Sequence, residues 1–214
     1  SLVMNAVSND STVNYQSDIH SFKPYDESSA GYVMGEGAAL VMLEAKDDAE
    51  QRGATVYAQM LGYGRACAND QFSKGGHSRS QALANAIEAA LNESQLDAKQ
   101  LDMICGTSIG SQDADRAELN GVKIALGEVV KDTPYTNFNS YFGFAEAASG
   151  SLNVQGVIVA MQDSIIYPIK NTQHCLLDGF DLVLQKPRLK NVNYALVVGM
   201  SDAGNCYAVI LSKP

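Results

Sequence analysis

The sequence has few basic residues. Its 214 positions include 15 lysines and arginines against 24 acidic residues, which gives a formal net charge of −9. A protein that binds nucleic acid regardless of sequence needs a basic face, and an anionic membrane surface attracts basic segments. The charge balance therefore argues against both kinds of partner. An acidic carrier protein would have to dock on a locally basic patch.

Cysteine and histidine are also scarce. The four cysteines, Cys67, Cys105, Cys175 and Cys206, are far apart in the sequence. No CxxC pair is present, and no histidine lies at a spacing typical of a zinc site. This pattern predicts reduced, mostly buried thiols in a cytosolic protein, with no metal ion and no other cofactor.

Long hydrophobic runs are missing as well. No apolar stretch reaches the ~18 residues needed to span a bilayer, and the N-terminus lacks the basic and apolar regions of a signal peptide. With 46% hydrophobic and 18% charged residues, the chain has enough apolar side chains for a packed core. We therefore expect a cytoplasmic globular protein. Because the chain starts at Ser1 inside an amphipathic turn, we also expect a processed, tagged or truncated start, or half of a larger product.

Apolar runs predict several strands. The continuous run from Ala38 to Leu43 is typical of a strand that is buried on both faces. Residues 56–66 and 101–108 predict further strands, and residues 194–214 predict two strands joined by a turn.

Helical patterns alternate with these strands. Leu83, Ile87 and Leu91 recur at helical spacing within residues 77–96. Further helices are predicted at residues 46–54, 113–127 and 146–166. The last of these is apolar nearly all round, so we expect it to be buried centrally. The alternation of strands and helices predicts an α/β layered fold with a mostly buried sheet.

Four segments carry turn glycines and short motifs in a fixed order. They are "KPYDESSAGYVMGEG…QMLGYG" (23–64), "CGTSIGSQDADRAEL" (105–119), "NFNSYFGFAEAASG" (137–150) and "VVGMSDAGNCYAVIL" (197–211). In this order and spacing they resemble the β-ketoacyl-acyl-carrier-protein synthases, the condensing enzymes of fatty-acid and polyketide synthesis. The second and third segments resemble the family's His-Gly-Thr-x-Thr turn with its Asp-x-x-Glu helix start, and its Lys-Ser-x-x-Gly-His stretch.

The resemblance covers most of the chain and implies a thiolase-like layered fold (α-β-α-β-α), of which the chain would form about the C-terminal half. Residues 1–45 would be the end of the N-terminal ketosynthase half, and residues 46–214 the C-terminal half. Asp115 and Glu118 match the acidic helix start, where we expect helix-terminus charge and a structural hydrogen bond.

The chain departs from the family at the residues that perform the chemistry. In the family, a Cys carries the acyl chain, two His stabilise the oxyanion and the carbanion, and a Lys holds one His in place. The two His positions are Cys105 and Phe144 here, and the Lys position is Asn139. A thiol is a poor hydrogen-bond donor and a phenyl ring has none, while losing one oxyanion donor costs about 2.7–4 kcal/mol. No catalytic residue is therefore expected at these degenerate positions. The nucleophilic Cys of the family lies upstream of the segment present here.

These departures resemble the inactive class of the family, the chain length factors or ketosynthase β subunits. The resemblance implies a non-catalytic subunit of an acyltransferase family that shapes the acyl-chain tunnel in type II polyketide, aryl polyene or fatty-acid-like biosynthesis. Implied partners are an active ketosynthase in a heterodimer, the chain's own missing N-terminal half, and an acyl carrier protein reached through the complex. The candidate tunnel residues are Tyr141, Phe142, Phe144 and Asp202.

Two alternatives stay open. The chain could be a condensing or acyl-transfer enzyme with a rearranged site, because Cys105 precedes a Gly-Thr turn where a helix N-terminus lowers a thiol pKa. Against this, His20, His77 and His174 lie outside every matched segment. The chain could also be a degenerate scaffold that only stabilises a partner.

Overall fold

The computed structural model describes residues 19–68, 77–201 and 203–214. The helices are α1 (Lys46–Gln51), α2 (His77–Ser94), α3 (Gln112–Leu126), α4 (Asn139–Phe142) and α5 (Ser149–Asp163). Short 3-10 helices occur at Ile19–Ser21, Ala98–Gln100, Gly127–Lys131 and Glu146–Ala148. The strands are β1 (Gln59–Cys67), β2 (Met103–Cys105), β3 (Tyr135–Thr136), β4 (Ile165–Ile166), β5 (Arg188–Leu189), β6 (Tyr194–Met200) and β7 (Asn205–Ser212).

The main sheet has five strands in the order β1-β7-β6-β2-β3. Strand β7 pairs antiparallel with both β1 and β6, whereas β2 pairs parallel with β6 and β3. Strands β4 and β5 form a separate antiparallel pair. The main sheet is therefore mixed, and β1 and β3 are the strands at its two edges.

Helices cover both faces of this sheet. Neighbouring residues of β2 alternate between them: Ile104 belongs to the core cluster with α2 and α3, and Cys105 belongs to the cluster with α5. Leu83 and Ile87 of α2 are fully buried, as their helical spacing predicts. The predicted α/β layered fold is confirmed, with an α-β-α arrangement in the described residues.

Two glycines let α2 lie directly on the edge strand β1. A Cβ atom at Gly62 would come within 2.2 Å of the Ala90 carbonyl oxygen, and one at Gly64 within 1.8 Å of the Ala86 carbonyl oxygen. Any side chain there would push the helix off the sheet. The glycines therefore set the close packing of α2 on β1.

The segment from Ala38 to Leu43 differs from its prediction. It forms no strand, and most of its side chains are exposed: the exposed fraction is 80% for Leu40 and 79% for Met42. A strand needs a neighbour to satisfy its backbone groups, and no described segment pairs with this one. The Leu40 carbonyl oxygen accepts a hydrogen bond from Gln155 Nε2 of α5 at 3.2 Å. The predicted burial on both faces is therefore wrong for the chain as it stands.

Helix α5 also differs from its prediction. One of its faces is buried, through Asn153, Val157, Ala160 and Met161, whereas Val159 is 44% exposed. The prediction of burial all round was wrong, because in the described residues the sheet packs on one side of α5 and no second layer covers the other. The predicted boundary between residues 45 and 46 stays a prediction.

Candidate functional site

The candidate site surrounds the β2–α3 loop, residues 106–111, which leads from the carboxyl end of β2 into α3. Cys105 is the last residue of β2 and is fully buried among the apolar side chains below α5. Its thiol donates only a weak hydrogen bond, 3.7 Å from Sγ to the Gly106 carbonyl oxygen. Burial, with a further contribution from the charge of Glu118, raises the pKa of the Cys105 thiol well above its ordinary value. A thiol in these surroundings stays protonated near neutral pH and is a poor nucleophile.

Glu118 of α3 lies beneath this loop and is completely enclosed. Its Oε1 accepts hydrogen bonds from the Tyr25 hydroxyl at 2.5 Å and the Tyr135 hydroxyl at 2.7 Å. The Thr107 backbone N–H donates to both carboxylate oxygens at 3.2 Å. Burial raises the pKa of Glu118 to about 7, against the opposing effect of the two tyrosine hydroxyls.

Tyr25 connects this carboxylate to a second one. Its hydroxyl also accepts from the Ser108 N–H at 3.1 Å, and its own N–H donates to Asp115 Oδ2 at 3.0 Å. Asp115 Oδ1 accepts from the Ile109 N–H at 3.1 Å, and burial raises the pKa of Asp115 to about 6. Among the described residues, no lysine or arginine forms an ion pair with either acid. The loop is therefore held by two buried acids whose partners are neutral donors, and the predicted structural hydrogen bonding of both acids is confirmed.

Three asparagine amides bind the carbonyl oxygens of the same loop. Asn139 Nδ2, at the start of α4, donates to the carbonyl oxygens of Thr107 at 3.1 Å and Ser108 at 3.2 Å. Asn137 Nδ2 and Asn153 Nδ2 donate to the Gly106 carbonyl oxygen at 3.2 and 3.4 Å. Asn139 thus contacts the loop that follows Cys105, so the structure brings these two predicted positions together.

Phe144 does not contact the β2–α3 loop through these bonds but pairs with residues 33–35. Its N–H donates to the Val33 carbonyl oxygen at 2.8 Å, and its carbonyl oxygen accepts from the Gly35 N–H at 2.9 Å. The half-buried ring packs edge-on against Tyr32, with 5.8 Å between centroids. A Cβ at Gly35 would lie 2.1 Å from the Phe142 carbonyl oxygen, so this crossing requires glycine.

The remaining candidate tunnel residues do not share one environment. The Tyr141 hydroxyl donates to the Pro168 carbonyl oxygen at 2.7 Å, and Lys170 Nζ lies 5.3 Å from the centre of its ring. Phe142 packs in part on the core cluster below α5. Asp202 lies outside the described residues. The tunnel role of these side chains stays a prediction.

The part of the chain that the structure describes adds no buried histidine and no metal cluster to this site. His20, His77 and His174 are exposed. Within the described ranges, no cluster of three or more His, Cys, Asp or Glu side chains is arranged to hold a metal ion. Over the same ranges, no helix has the length and apolar character to cross a membrane.

Sequence reasoning missed four residues of this site: Tyr25, Tyr135, Asn137 and Asn153. Asn153 left no distinct signal, because the same helix also carries Ser151, Gln155 and Gln162. Tyr25 belongs to a segment that the sequence singled out, but its partner Glu118 is 93 residues away. A pairing over that separation follows from the fold and not from local pattern.

Comparison with known proteins identifies relatives over nearly the whole chain. Residues 57–173 match the family described as beta-ketoacyl synthase, C-terminal domain. The chain is 33% identical, over 90% of its length and 41% of the relative's, to the actinorhodin polyketide putative beta-ketoacyl synthase 1 of Streptomyces coelicolor. It is 30% identical to both the alpha and the beta ketoacyl synthase subunits of the tetracenomycin polyketide synthase of Streptomyces glaucescens, covering 48% and 46% of them. The chain thus spans about half the length of these curated relatives.

Solved structures of ketosynthases have the same fold, which confirms the predicted thiolase-like fold. The ishigamide ketosynthase/chain length factor matches 99% of this chain with a TM-score of 0.86 and 24% identity, and the chain covers 51% of it. The second structure is that of a type II PKS acyl-carrier protein in complex with its ketosynthase bound to the hexaketide. A chain of this complex matches 100% of the present chain, with a TM-score of 0.89 and 20% identity, and the present chain covers 53% of it.

Proposed function

Because the chain belongs to the β-ketoacyl synthase family, we propose that it is part of a chain length factor-like subunit, which does not catalyse condensation itself. Such a subunit would pair with an active ketosynthase in type II polyketide, aryl polyene or fatty-acid-like biosynthesis and would shape the acyl-chain tunnel. One observation carries the proposal. The positions that resemble the family's two His and its Lys are Cys105, Phe144 and Asn139.

None of the three side chains can take over the chemistry assigned to its position. Phe144 has no proton to donate, and its backbone N–H and carbonyl are both used in the contact with residues 33–35. Asn139 is neutral, and its amide is bound to the Thr107 and Ser108 carbonyl oxygens. An oxyanion or a carbanion at this site would therefore lack the hydrogen-bond donors on which decarboxylative condensation depends.

The burial of Cys105 weighs against the alternative of an enzyme that uses this thiol. The side chain is 0% exposed, and its pKa is raised. A nucleophilic thiol needs a lowered pKa and access to substrate, usually beside a base. The surroundings of Cys105 supply neither.

We also propose that the outer face of α5 and the segment from Ala38 to Leu43 are covered in the full-length protein by its N-terminal ketosynthase half. Leu40, Met42 and Leu43 together form an exposed apolar strip, with exposed fractions of 80%, 79% and 73%. A contiguous apolar surface of this kind normally marks an interface. No described strand pairs with the backbone of the strip, which is therefore suited to pairing with a strand of that half.

The active ketosynthase would be the second partner, and an acyl carrier protein would be reached through the complex. Tyr141, Phe142, Phe144 and Asp202 are the residues that we propose for the tunnel. The half-buried ring of Phe144 fills space that a smaller side chain would leave open to an acyl chain.

The first experiment is co-expression of the full-length protein with an active ketosynthase, followed by purification and intact-mass measurement of every chain. We expect stoichiometric co-purification, with an acyl group loaded on the partner alone. An acyl group on the present subunit would overturn the proposal.

Product length separates a tunnel-shaping subunit from a scaffold. In the assembled complex, Phe144→Ala is expected to change the length of the product, whereas Tyr57→Ala, at a side chain that is 56% exposed here, is the matched control. Unchanged product length with normal assembly would favour the scaffold.

A further inference from the structure

Two amide oxygens next to the β2–α3 loop have no hydrogen-bond partner among the described residues: Asn139 Oδ1 and Asn153 Oδ1. Both side chains are 0% exposed. Leaving a buried acceptor unpaired costs free energy, so each such atom in a native protein calls for a partner. The two atoms therefore point to a group that the described residues do not supply.

The orientation of both amides is fixed by their nitrogen atoms. Asn139 Nδ2 donates to the carbonyl oxygens of Thr107 and Ser108, and Asn153 Nδ2 donates to that of Gly106. Flipping either amide would place its oxygen against a carbonyl oxygen, where two acceptors repel. Both free atoms are thus acceptors, and the missing group is a donor.

The two residues also approach the loop from neighbouring elements. The Phe138 ring, next to Asn139 in sequence, packs so closely on α5 that a Cβ at Gly156 would lie 2.6 Å from it. Gly156 is one helical turn after Asn153 and on the same face of α5. The two amides thus bind consecutive carbonyl oxygens of one loop, Asn153 that of Gly106 and Asn139 that of Thr107.

We propose that Asn139 Oδ1 and Asn153 Oδ1 form one buried site for a single neutral hydrogen-bond donor that bridges them. The ligand chemistry is that of water or of an uncharged N–H or O–H group. The site offers two neutral acceptors, and among the described residues neither amide hydrogen-bonds to a carboxylate. It is therefore suited to a neutral donor and not to an ammonium group, which would be buried without a counter-charge. The two possible sources of the donor are solvent and the part of the full-length protein outside this chain.

The direct test is a crystal structure of the full-length protein at a resolution that shows ordered water. We expect one donor atom within about 2.7–3.2 Å of both amide oxygens. A water molecule there identifies solvent as the source, and a protein N–H or O–H identifies the remaining part of the protein. Separate partners for the two oxygens, or an empty space between them, would overturn the proposal.

A double-mutant cycle provides a second readout in the same protein. Asn139→Ala and Asn153→Ala remove the two acceptors, and if they share one donor, the double variant loses less stability than the sum of the single losses. Asn139→Ala combined with Ser80→Ala is the control, because the Ser80 hydroxyl donates to the Ala117 carbonyl oxygen on the opposite face of the sheet. Additive losses in both cycles would contradict a shared ligand.

Discussion

The Tyr25 hydroxyl lies 2.5 Å from Glu118 Oε1, and the two residues are 93 positions apart in the sequence. This contact joins the segment before the exposed apolar strip to helix α3, beneath the loop that follows Cys105. It places a buried carboxylate among neutral hydrogen-bond donors. The stability of this region and its pH dependence follow from that arrangement.

Removing the Tyr25 hydroxyl is expected to destabilise the protein. Tyr25→Phe takes one donor from Glu118 and leaves the Ser108 N–H without its acceptor, which costs about 1–3 kcal/mol. Urea unfolding of the full-length protein measures the loss. Tyr57→Phe, at a side chain that is 56% exposed, is the control and should be nearly neutral. Equal stability of the two variants would contradict the structural role of Tyr25.

Glu118 is expected to make the protein less stable as the pH rises. Its pKa goes from an ordinary 4.5 to about 7 in the fold, chiefly through burial, so the folded state holds the proton more tightly. The stability that Glu118 contributes is fully present below pH ~4.5 and is lost as the pH rises through about 7, by on the order of a few kcal/mol. Asp115, with a pKa raised to about 6, contributes in the same direction.

The measurement is the urea midpoint between pH 5 and pH 8 for the wild type and for Glu118→Gln. The variant cannot ionise at this position, so its midpoint should fall less steeply with pH than that of the wild type. Parallel curves for the two proteins would show that Glu118 does not titrate in this range.

Asp26 is expected to act in the opposite direction, at lower pH. Although burial works to raise it, hydrogen bonds from the N–H groups of Gln173, His174 and Ser28 and from the Ser28 hydroxyl lower the pKa of Asp26 to about 2. The stability that it contributes is present above the ordinary value of 3.8 and is lost as the pH falls through about 2.

Asp26→Asn is expected to cost about 2–3 kcal/mol at pH 7, because charge-assisted hydrogen bonds are lost and an amide NH2 meets backbone donors. Asp178→Asn changes an exposed acid nearby and should have little effect. Equal shifts of the unfolding midpoint by both substitutions would contradict a structural role of the Asp26 carboxylate in binding the N–H groups of Gln173 and His174.

Cys105 is expected to resist alkylation. Its thiol is buried and its pKa is raised, whereas Cys67 is exposed, so iodoacetamide should modify Cys67 first in the native protein. Mass spectrometry of digested samples over time gives both rates, and the same reaction in urea controls for intrinsic reactivity. If Cys105 were modified as fast as Cys67 in the native protein, the result would support the alternative of an enzyme that uses the Cys105 thiol.

The apolar strip is expected to be buried in the full-length protein. Leu40→Asp would then place a charge in an interface and lower both stability and soluble yield. Leu189→Asp is the matched control, since Leu189 is 83% exposed and lies on the separate pair of strands. Equal tolerance of the two substitutions would mean that the strip stays in contact with solvent.

The sequence predicted those parts of the fold whose pattern is local. The spacing of Leu83 and Ile87 located α2, and the apolar runs located β1, β6 and β7. The same reasoning predicted that the segment from Ala38 to Leu43 and the outer face of α5 are buried, but no described part of the chain covers them. An apolar pattern indicates that a surface needs covering, but it does not say which chain segment covers it.

The candidate site shows the same division. The motif segments identified Cys105, Asn139 and Phe144, and the structure places the first two at one loop. The tyrosines that bind Glu118 and the two unpaired asparagine oxygens depend on contacts between distant segments. Such contacts follow from the order of the strands, which no local pattern specifies.

The strand order also determines when the domain can form during synthesis. Strand β1 pairs with β7 over the register from Gln59 to Ser212, and β7 is the link between β1 and β6. A ribosome that has made α2, α3 and α5 has therefore produced their apolar faces before the strand that unites the sheet. Until residues 205–212 emerge, β1 lacks its partner, and the nascent chain must be protected from association with other exposed strands. A chain that ended just before Asn205 would leave β1 and β6 without the strand that joins them, and the eight residues of β7 supply that strand.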